Sequence, residues 1–210
     1  MLDNFNPACN PQAMNCSDGI PDECHFWIPE PQQTDGLWST AANWSQNEVP
    51  NNVGPDEYVP VIASTAVPAL LDIDVTINAV VVVPGAQLDI AQGNMTVQTT
   101  TGILNNGLVT ISNGRRLTAA SPTTRLDGSL GILRLEDAAA ELASATPADV
   151  IVNRSNIVGY GLLTAALLNL NVVDANSNAG ALVLDGTFIA TNNAIFRAST
   201  GGTLDIARDV

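Results

Sequence analysis

From residue 57 onward the chain alternates between aliphatic and polar positions. "LLDIDVTINAV" sets Leu71, Ile73, Val75, Ile77 and Ala79 on one side and Asp72, Asp74, Thr76 and Asn78 on the other. Successive side chains of an extended backbone point to opposite faces, so this period of two predicts a strand with one buried face. The pattern returns in short pieces: Leu88/Ile90, Met95/Val97, Val109/Ile111, Val150/Val152, Leu168/Leu170/Val172, Leu182/Leu184 and Leu204/Ile206. Gly, Asn, Asp and Ser punctuate between them. "GAQLDIA" (85–91) reads like "GGTLDIA" (201–207), and "GILRL" (131–135) like "GALVL" (180–184). The spacing of these echoes is not constant, which suits stacked coils of unequal length.

Many short strands with Gly/Asn turns fit either an antiparallel sandwich or a parallel β-helix. Two features favour the helix. After Tyr58 the only aromatics are Tyr160, Phe188 and Phe196, and a narrow stacked interior takes Val, Ile, Leu and Ala more readily than rings. Asn recurs at strand ends, at Asn105, Asn106, Asn113, Asn169, Asn171, Asn192 and Asn193. Asn tolerates left-handed backbone, and its amide can bond to an Asn of the next coil. The expectation is an all-β fold, a single-stranded right-handed parallel β-helix over residues 58–210. One stretch, "LRLEDAAAELASATPADV", carries Leu135, Ala139, Leu142 and Ala143 at helical spacing among strong helix formers. It reads either as a short helix over the stack or as an ordinary coil turn.

Upstream the character differs. Residues 34–57 hold Trp38 and Trp44 in a Ser/Asn-rich stretch, and each indole must bury a large flat surface. A stack of coils has unpaired strand edges at its ends, which template aggregation unless blocked. These residues therefore predict an aromatic N-terminal cap built on Trp38, Asn43 and Trp44. Residues 1–33 hold Pro7, Pro11, Pro21, Pro29 and Pro31 and are expected to form an irregular appendage. At the other end, "GGTLDIARDV" stops within a strand pattern, so either further coils follow or the open end meets another molecule. End-to-end stacking would then give a filament.

Composition narrows the function. The apolar fraction of 46% excludes a disordered chain, and the charged fraction of 13% is low against the roughly 25% of ordinary soluble proteins. The net charge is −14, with seven Arg and no Lys. Nucleic acid needs clustered cations, and Arg115-Arg116 is the only cluster, so nucleic acid is excluded as a partner. An anionic membrane surface is disfavoured for the same reason. No apolar run is long enough to span a bilayer. "MLDNFNPACNPQ" has neither a basic start nor an apolar core, so an exported form would be mature or trimmed.

The cysteines, Cys9, Cys16 and Cys24, all lie near the N-terminus. Such clustering suggests a disulfide and an oxidising compartment, with free thiols or a zinc site through His25 as the alternatives; C-x6-C-x7-C-H lacks the usual C-x2-C knuckle. "NCSDGIPDEC" crowds oxygen ligands around a Gly turn: Asn15, Ser17 and Asp18 before it, Asp22 and Glu23 after. This suits a hard cation such as Ca²⁺, or simply a turn. The segment resembles the thrombospondin type-three calcium repeats of secreted proteins, though Met14 and Ser17 stand where Asp or Asn is expected. That resemblance implies a calcium-stiffened, disulfide-pinned linker.

"GLWSTAANWSQNEVP" followed by "DEYVPVI" resembles the entry segment of bacterial extracellular, autotransporter-like β-helix proteins. The matching residues are Gly36, Trp38, Asn43, Trp44, Val49, Pro50, Asp56 and Val59. The resemblance implies a secreted or cell-surface structural protein. Catalysis finds little support. His25 is the only histidine, no nucleophile or nucleotide motif occurs, and Asp72, Asp74, Glu136, Asp137 and Asp185 read as solvated positions opposite an aliphatic face. The expected role is a non-catalytic β-helix segment or self-associating subunit. A carbohydrate-binding adhesin is the second reading, with Trp27 and Tyr160 as candidate sugar platforms, and a polysaccharide-degrading β-helix enzyme ranks below it.

Overall fold

The computed structural model describes residues 22–28, 35–52, 57–185, 188–190 and 194–207. The chain winds as a parallel β-helix with three walls. Wall A is built from β1 (Asp22–Trp27), β2 (Glu57–Ile62), β5 (Val80–Val82), β8 (Ile103–Asn105), β11 (Thr123–Asp127), β13 (Val150–Asn153), β15 (Ala166–Asn169) and β18 (Phe188–Ala190). Wall B takes β3 (Ala69–Leu71), β6 (Gln87–Ile90), β9 (Leu108–Ile111), β16 (Val172–Ala175) and β19 (Ile195–Ala198). Wall C takes β4 (Val75–Ile77), β7 (Met95–Val97), β10 (Arg116–Ala119), β17 (Ala181–Leu184) and β20 (Thr203–Ile206). The longer β12 (Ile132–Ser144) and β14 (Asn156–Leu163) turn the corner and serve walls B and C in succession.

All pairings between these strands are parallel, and one column shows the winding. Val75 lies beside Met95, Met95 beside Leu117, Leu117 beside Leu142, Leu142 beside Leu163, Leu163 beside Leu184, and Leu184 beside Ile206. Inward positions of successive turns thus stack aliphatic on aliphatic. Leu71, Ile90, Ile111 and Leu135 are wholly buried in this interior. Turn length varies, which is why the sequence echoes keep no fixed spacing.

Several expectations change. Val150/Val152 and Leu168/Leu170/Val172 are the half-buried positions, and the buried ones beside them are Ile151, Leu167 and Val173. "LLDIDVTINAV" is not one strand: β3 and β4 are separate, with Asp72–Asp74 at the corner, and Ala79 lies in a second cluster outside the interior. The alanine-rich stretch forms no helix. It is the greater part of β12, with a register shift between Glu136 and Glu141. Pairing on both sides, to β9 and β10 and to β14, outweighs its local helix propensity. Residues 1–33 are not irregular throughout, since β1 runs beside β2 from Asp22↔Glu57 to Trp27↔Ile62.

Wall A is buried on both faces at its start. Val80 and Val82 face the interior, while Val81 joins Cys24, Val59, Val61 and Ala79 in the outer cluster, each no more than 7% exposed. The unbroken aliphatic run 79–83 is the sequence form of a strand covered twice.

At the corner from wall A to wall B, Asn105, Asn153 and Asn169 each end a strand and are each fully buried. Their side-chain oxygens accept the N–H two residues on, from Gly107 (3.1 Å), Ser155 (3.0 Å) and Asn171 (3.3 Å). These local bonds close the turn, and the amide nitrogens are left to reach other turns. Glycines in the next coil give the corner room. A Cβ on Gly131 would stand 1.9 Å from the Asn105 carbonyl oxygen.

Candidate functional site

The two ends of the stack differ, and the difference is built from the residues upward. At the N-terminal end the chain forms a layer beneath the first full turn. β1 supplies its wall A. Leu37 bridges Leu70 in parallel, with Trp38 N–H donating to the Leu70 carbonyl at 2.8 Å. Asn52 N–H donates to the Thr76 carbonyl, and Thr76 N–H to Asn51 Oδ1 at 2.9 Å. All three walls are therefore met.

The indoles fill the interior of this layer. Trp38 and Trp44 pack edge-to-face with centroids 4.6 Å apart, and Trp27 and Trp44 likewise at 5.0 Å. All three are at most 2% exposed, yet each N–H is satisfied, by the carbonyls of Val67, Trp38 and Pro50 for Trp27, Trp44 and Trp38 respectively. Asn43 is also buried and donates to Asp35 Oδ1 and the Leu37 carbonyl, both at 2.9 Å. Asp35 gathers Thr40 and Leu37 as well, and these bonds, Asn43 foremost, hold its carboxyl below the ordinary value of 3.8. Trp27 was a candidate sugar platform from sequence. Its ring is enclosed at 1% exposure and is not accessible to a saccharide.

The outer edge of β1 is engaged. Residues 43–46 turn back against it in antiparallel sense: Ile28 N–H donates to the Asn43 carbonyl at 2.8 Å, and Ser45 N–H to the Phe26 carbonyl at 2.9 Å. Ser45 Oγ accepts from Phe26 N–H at 3.1 Å. An antiparallel neighbour on a parallel wall ends the series.

His25 was missed as part of this end. It is wholly buried, packs edge-on against Tyr58 at 4.8 Å, and neither ring nitrogen has a hydrogen-bond partner. Burial lowers its pKa below 6.5, and Glu48, which accepts the Tyr58 hydroxyl at 2.7 Å, opposes that shift. The run Cys24–Trp27, four residues that bury readily, is the available signal, set between Pro21 and Pro29.

The last described turn is of another kind. Inward positions one turn earlier, Val173, Ala175, Leu182 and Leu184, are at most 1% exposed. Their neighbours in the next layer are Phe196, Ala198, Leu204 and Ile206. Ile206 is 51% exposed, Ala198 is exposed, and Phe196 and Leu204 are half-buried.

The carboxylates weighed for acid–base work tie turns together. Asp72 accepts both the N–H (2.9 Å) and the hydroxyl (2.5 Å) of Ser39. Asp74 accepts the backbone and side-chain amides of Asn94, whose oxygen accepts Arg116 N–H. Asp137 accepts Gly114 N–H from the turn before and its own Ala139 N–H. Glu136 pairs with Arg134 at 3.4 Å, and Asp185 is exposed.

Asn15, Ser17 and Asp18, proposed as cation ligands, lie outside the described residues, as do Cys9 and Cys16. The other two candidates, Asp22 and Glu23, begin β1, paired with Glu57 and Tyr58. Among the described residues no group of three or more His, Cys, Asp or Glu is arranged to hold a metal ion, and no helix is long and apolar enough to cross a membrane. The chain matches no protein-family model, no curated protein and no solved structure.

Proposed function

We propose that this chain is a non-catalytic structural segment of an extracellular or cell-surface β-helix, closed at its N-terminal end and joined to another β-helix layer at its C-terminal face. The exposure of Ile206 and Ala198, in columns that are wholly buried one turn earlier, carries this reading. An apolar floor beside open strand edges is a surface built to be covered. The engaged edge of β1 supports a one-sided joint. Head-to-tail growth into a filament needs two open ends, so association of the isolated chain through this face stops at pairs.

An oxidising location accords with Cys24, which we assign to a disulfide with Cys9 or Cys16. A calcium ion on Asn15, Ser17, Asp18, Asp22 and Glu23 would stiffen the same segment.

Light scattering on the purified chain tests the joint. Wild type should show concentration-dependent pairing, and the double variant Phe196→Asp/Ile206→Asp should be monomeric with unchanged far-ultraviolet dichroism. Fibres in negative stain, or a wild type that stays monomeric at every concentration, would count against it. Peptide mapping without reduction should find Cys24 linked to Cys9 or Cys16.

A further inference from the structure

On the outside of wall B runs a groove that neither end of the stack uses. Two adjoining cavities, of about 320 and 270 Å³, share Arg134 and Glu136. The first extends back over Thr110 and Asp89 to Leu70, and the second forward over Tyr160 to Asn176. These positions are outward neighbours on successive turns: Leu70 beside Asp89, Asp89 beside Thr110, Thr110 beside Arg134, and Glu136 beside Tyr160. With strands about 4.8 Å apart, the groove follows the stack axis for roughly 24 Å.

We propose that this groove binds an uncharged linear polysaccharide. Its walls offer what a sugar chain needs and little else. Asp89, Glu136, Arg134 and Asn176 are planar groups that pair with adjacent hydroxyls as acceptors and donors, and Thr110 adds a hydroxyl. Arg134 and Glu136 are each a little under half exposed, so both keep hydrogen-bonding capacity toward a ligand. Tyr160 supplies the one aromatic. Gly180 lies directly beneath its ring, where a Cβ would come within 2.6 Å of Cδ2, so the ring rests on backbone and its place is fixed. A fixed ring gives contact area at small entropic cost. Charge selects the class: one arginine faces two carboxylates in the groove, on a chain of net charge −14, which disfavours uronic-acid and sulfated polymers. The site lies on wall B and does not depend on the joint at the last turn.

Affinity electrophoresis of the full chain tests it, in native gels containing soluble β-1,4-glucan, β-1,3-glucan, xylan or galactomannan, with polygalacturonate as the anionic probe. At least one neutral polymer should retard wild type. Tyr160→Ala and Arg134→Ala should weaken that retardation by roughly tenfold in apparent Kd, as loss of a central contact does. Tyr160→Phe should retain most of it. Because Tyr160→Ala removes a half-buried ring, thermal melts accompany each variant, and Arg134→Ala, whose side chain is 42% exposed, stands as the second test. No retardation by any neutral polymer, retardation by polygalacturonate alone, or retardation undiminished in both alanine variants would overturn the proposal.

Discussion

Asn153 donates from Nδ2 to Oδ1 of Asn169, one turn further along the stack, at 2.8 Å, and both side chains are wholly buried. The bond joins two coils through their corners rather than through their strands. Asn153 Oδ1 is occupied as well, by Ser155 N–H at 3.0 Å, and Ser155 Oγ reaches back to the Gly131 carbonyl at 2.9 Å. Replacing Asn153 with Ala leaves a buried backbone donor without its acceptor and removes a donor from Asn169. Such orphaned groups cost about 1–3 kcal/mol each. Asn153→Ala should lower the thermal midpoint by several degrees, and Asn153→Asp should do more, because a carboxylate would face the Asn169 oxygen. Differential scanning calorimetry on both variants decides this; equal melting of wild type and Asn153→Asp would deny the corner its role.

The glycines separate steric need from conformational need. Gly131→Ala would place a Cβ 1.9 Å from the Asn105 carbonyl oxygen, so adjacent turns must move apart. At Gly201 the nearest atom to a built Cβ is 3.8 Å away, and only the positive φ of +79° resists substitution. Left-handed backbone costs an ordinary residue roughly 1–2 kcal/mol. Gly201→Ala should therefore be tolerated with a small loss, while Gly131→Ala should exceed it clearly by opening the corner around Asn105. Urea melts of the two variants should rank them in that order.

How far the sequence announces this depends on whether a signal is local. The period of two around Leu88/Ile90 or Leu182/Leu184 is local, and β6 and β17 stand there. The stretch with Trp38 and Trp44 stands out likewise, since no strand pattern needs two indoles so close together, and both rings are buried in the layer beneath β3. The corners are harder. Leu71, Val75 and Ile77 continue their alternation straight through Asp72–Asp74, because a bend that preserves inward phase leaves no mark on the pattern. β12 hides behind alanine, whose helix preference is overruled only by partners distant in sequence. The recurrence of Asn at strand ends announced bonds between coils, and Asn169 takes part in one, but that Asn153 is its partner is decided only by the winding. The groove on wall B is invisible for the same reason: Asp89, Thr110 and Arg134 become neighbours only in register.

Trp44 touches both other indoles, and its N–H donates to the Trp38 carbonyl at 2.9 Å. It is thus the centre of the closed end. Trp44→Ala should cost ~3–5 kcal/mol, the range for truncating a buried large ring. Trp44→Phe keeps much of the edge packing and loses the bond to Trp38, a penalty of about 1–3 kcal/mol. Acrylamide quenching gives an independent readout. Wild-type fluorescence should be blue-shifted and poorly quenched, as enclosed indoles are, and Trp44→Ala should expose Trp27 and Trp38 to the quencher. Strong quenching of the wild type would mean that the end is open.

His25 makes the closed end sensitive to acid. Its ring is buried without a hydrogen-bond partner, so the folded chain disfavours the imidazolium, and its pKa lies below the 6.5 of an exposed histidine. In the interval between the two values the unfolded chain binds a proton that the folded chain does not. Stability from this residue is therefore complete above pH 6.5 and declines as pH falls through 6.5 toward the folded value, then levels off. Glu48, held by Tyr58, attracts the imidazolium and limits the decline without reversing it. Asp35 acts in a separate range. Its depressed pKa adds stability above 3.8 that is lost as pH drops below that value. The His25→Leu variant should keep the acid loss due to Asp35 and lack the slope just below pH 6.5. Thermal midpoints of wild type and variant across this range provide the check, and parallel curves for the two would show that the imidazole is not the group responsible.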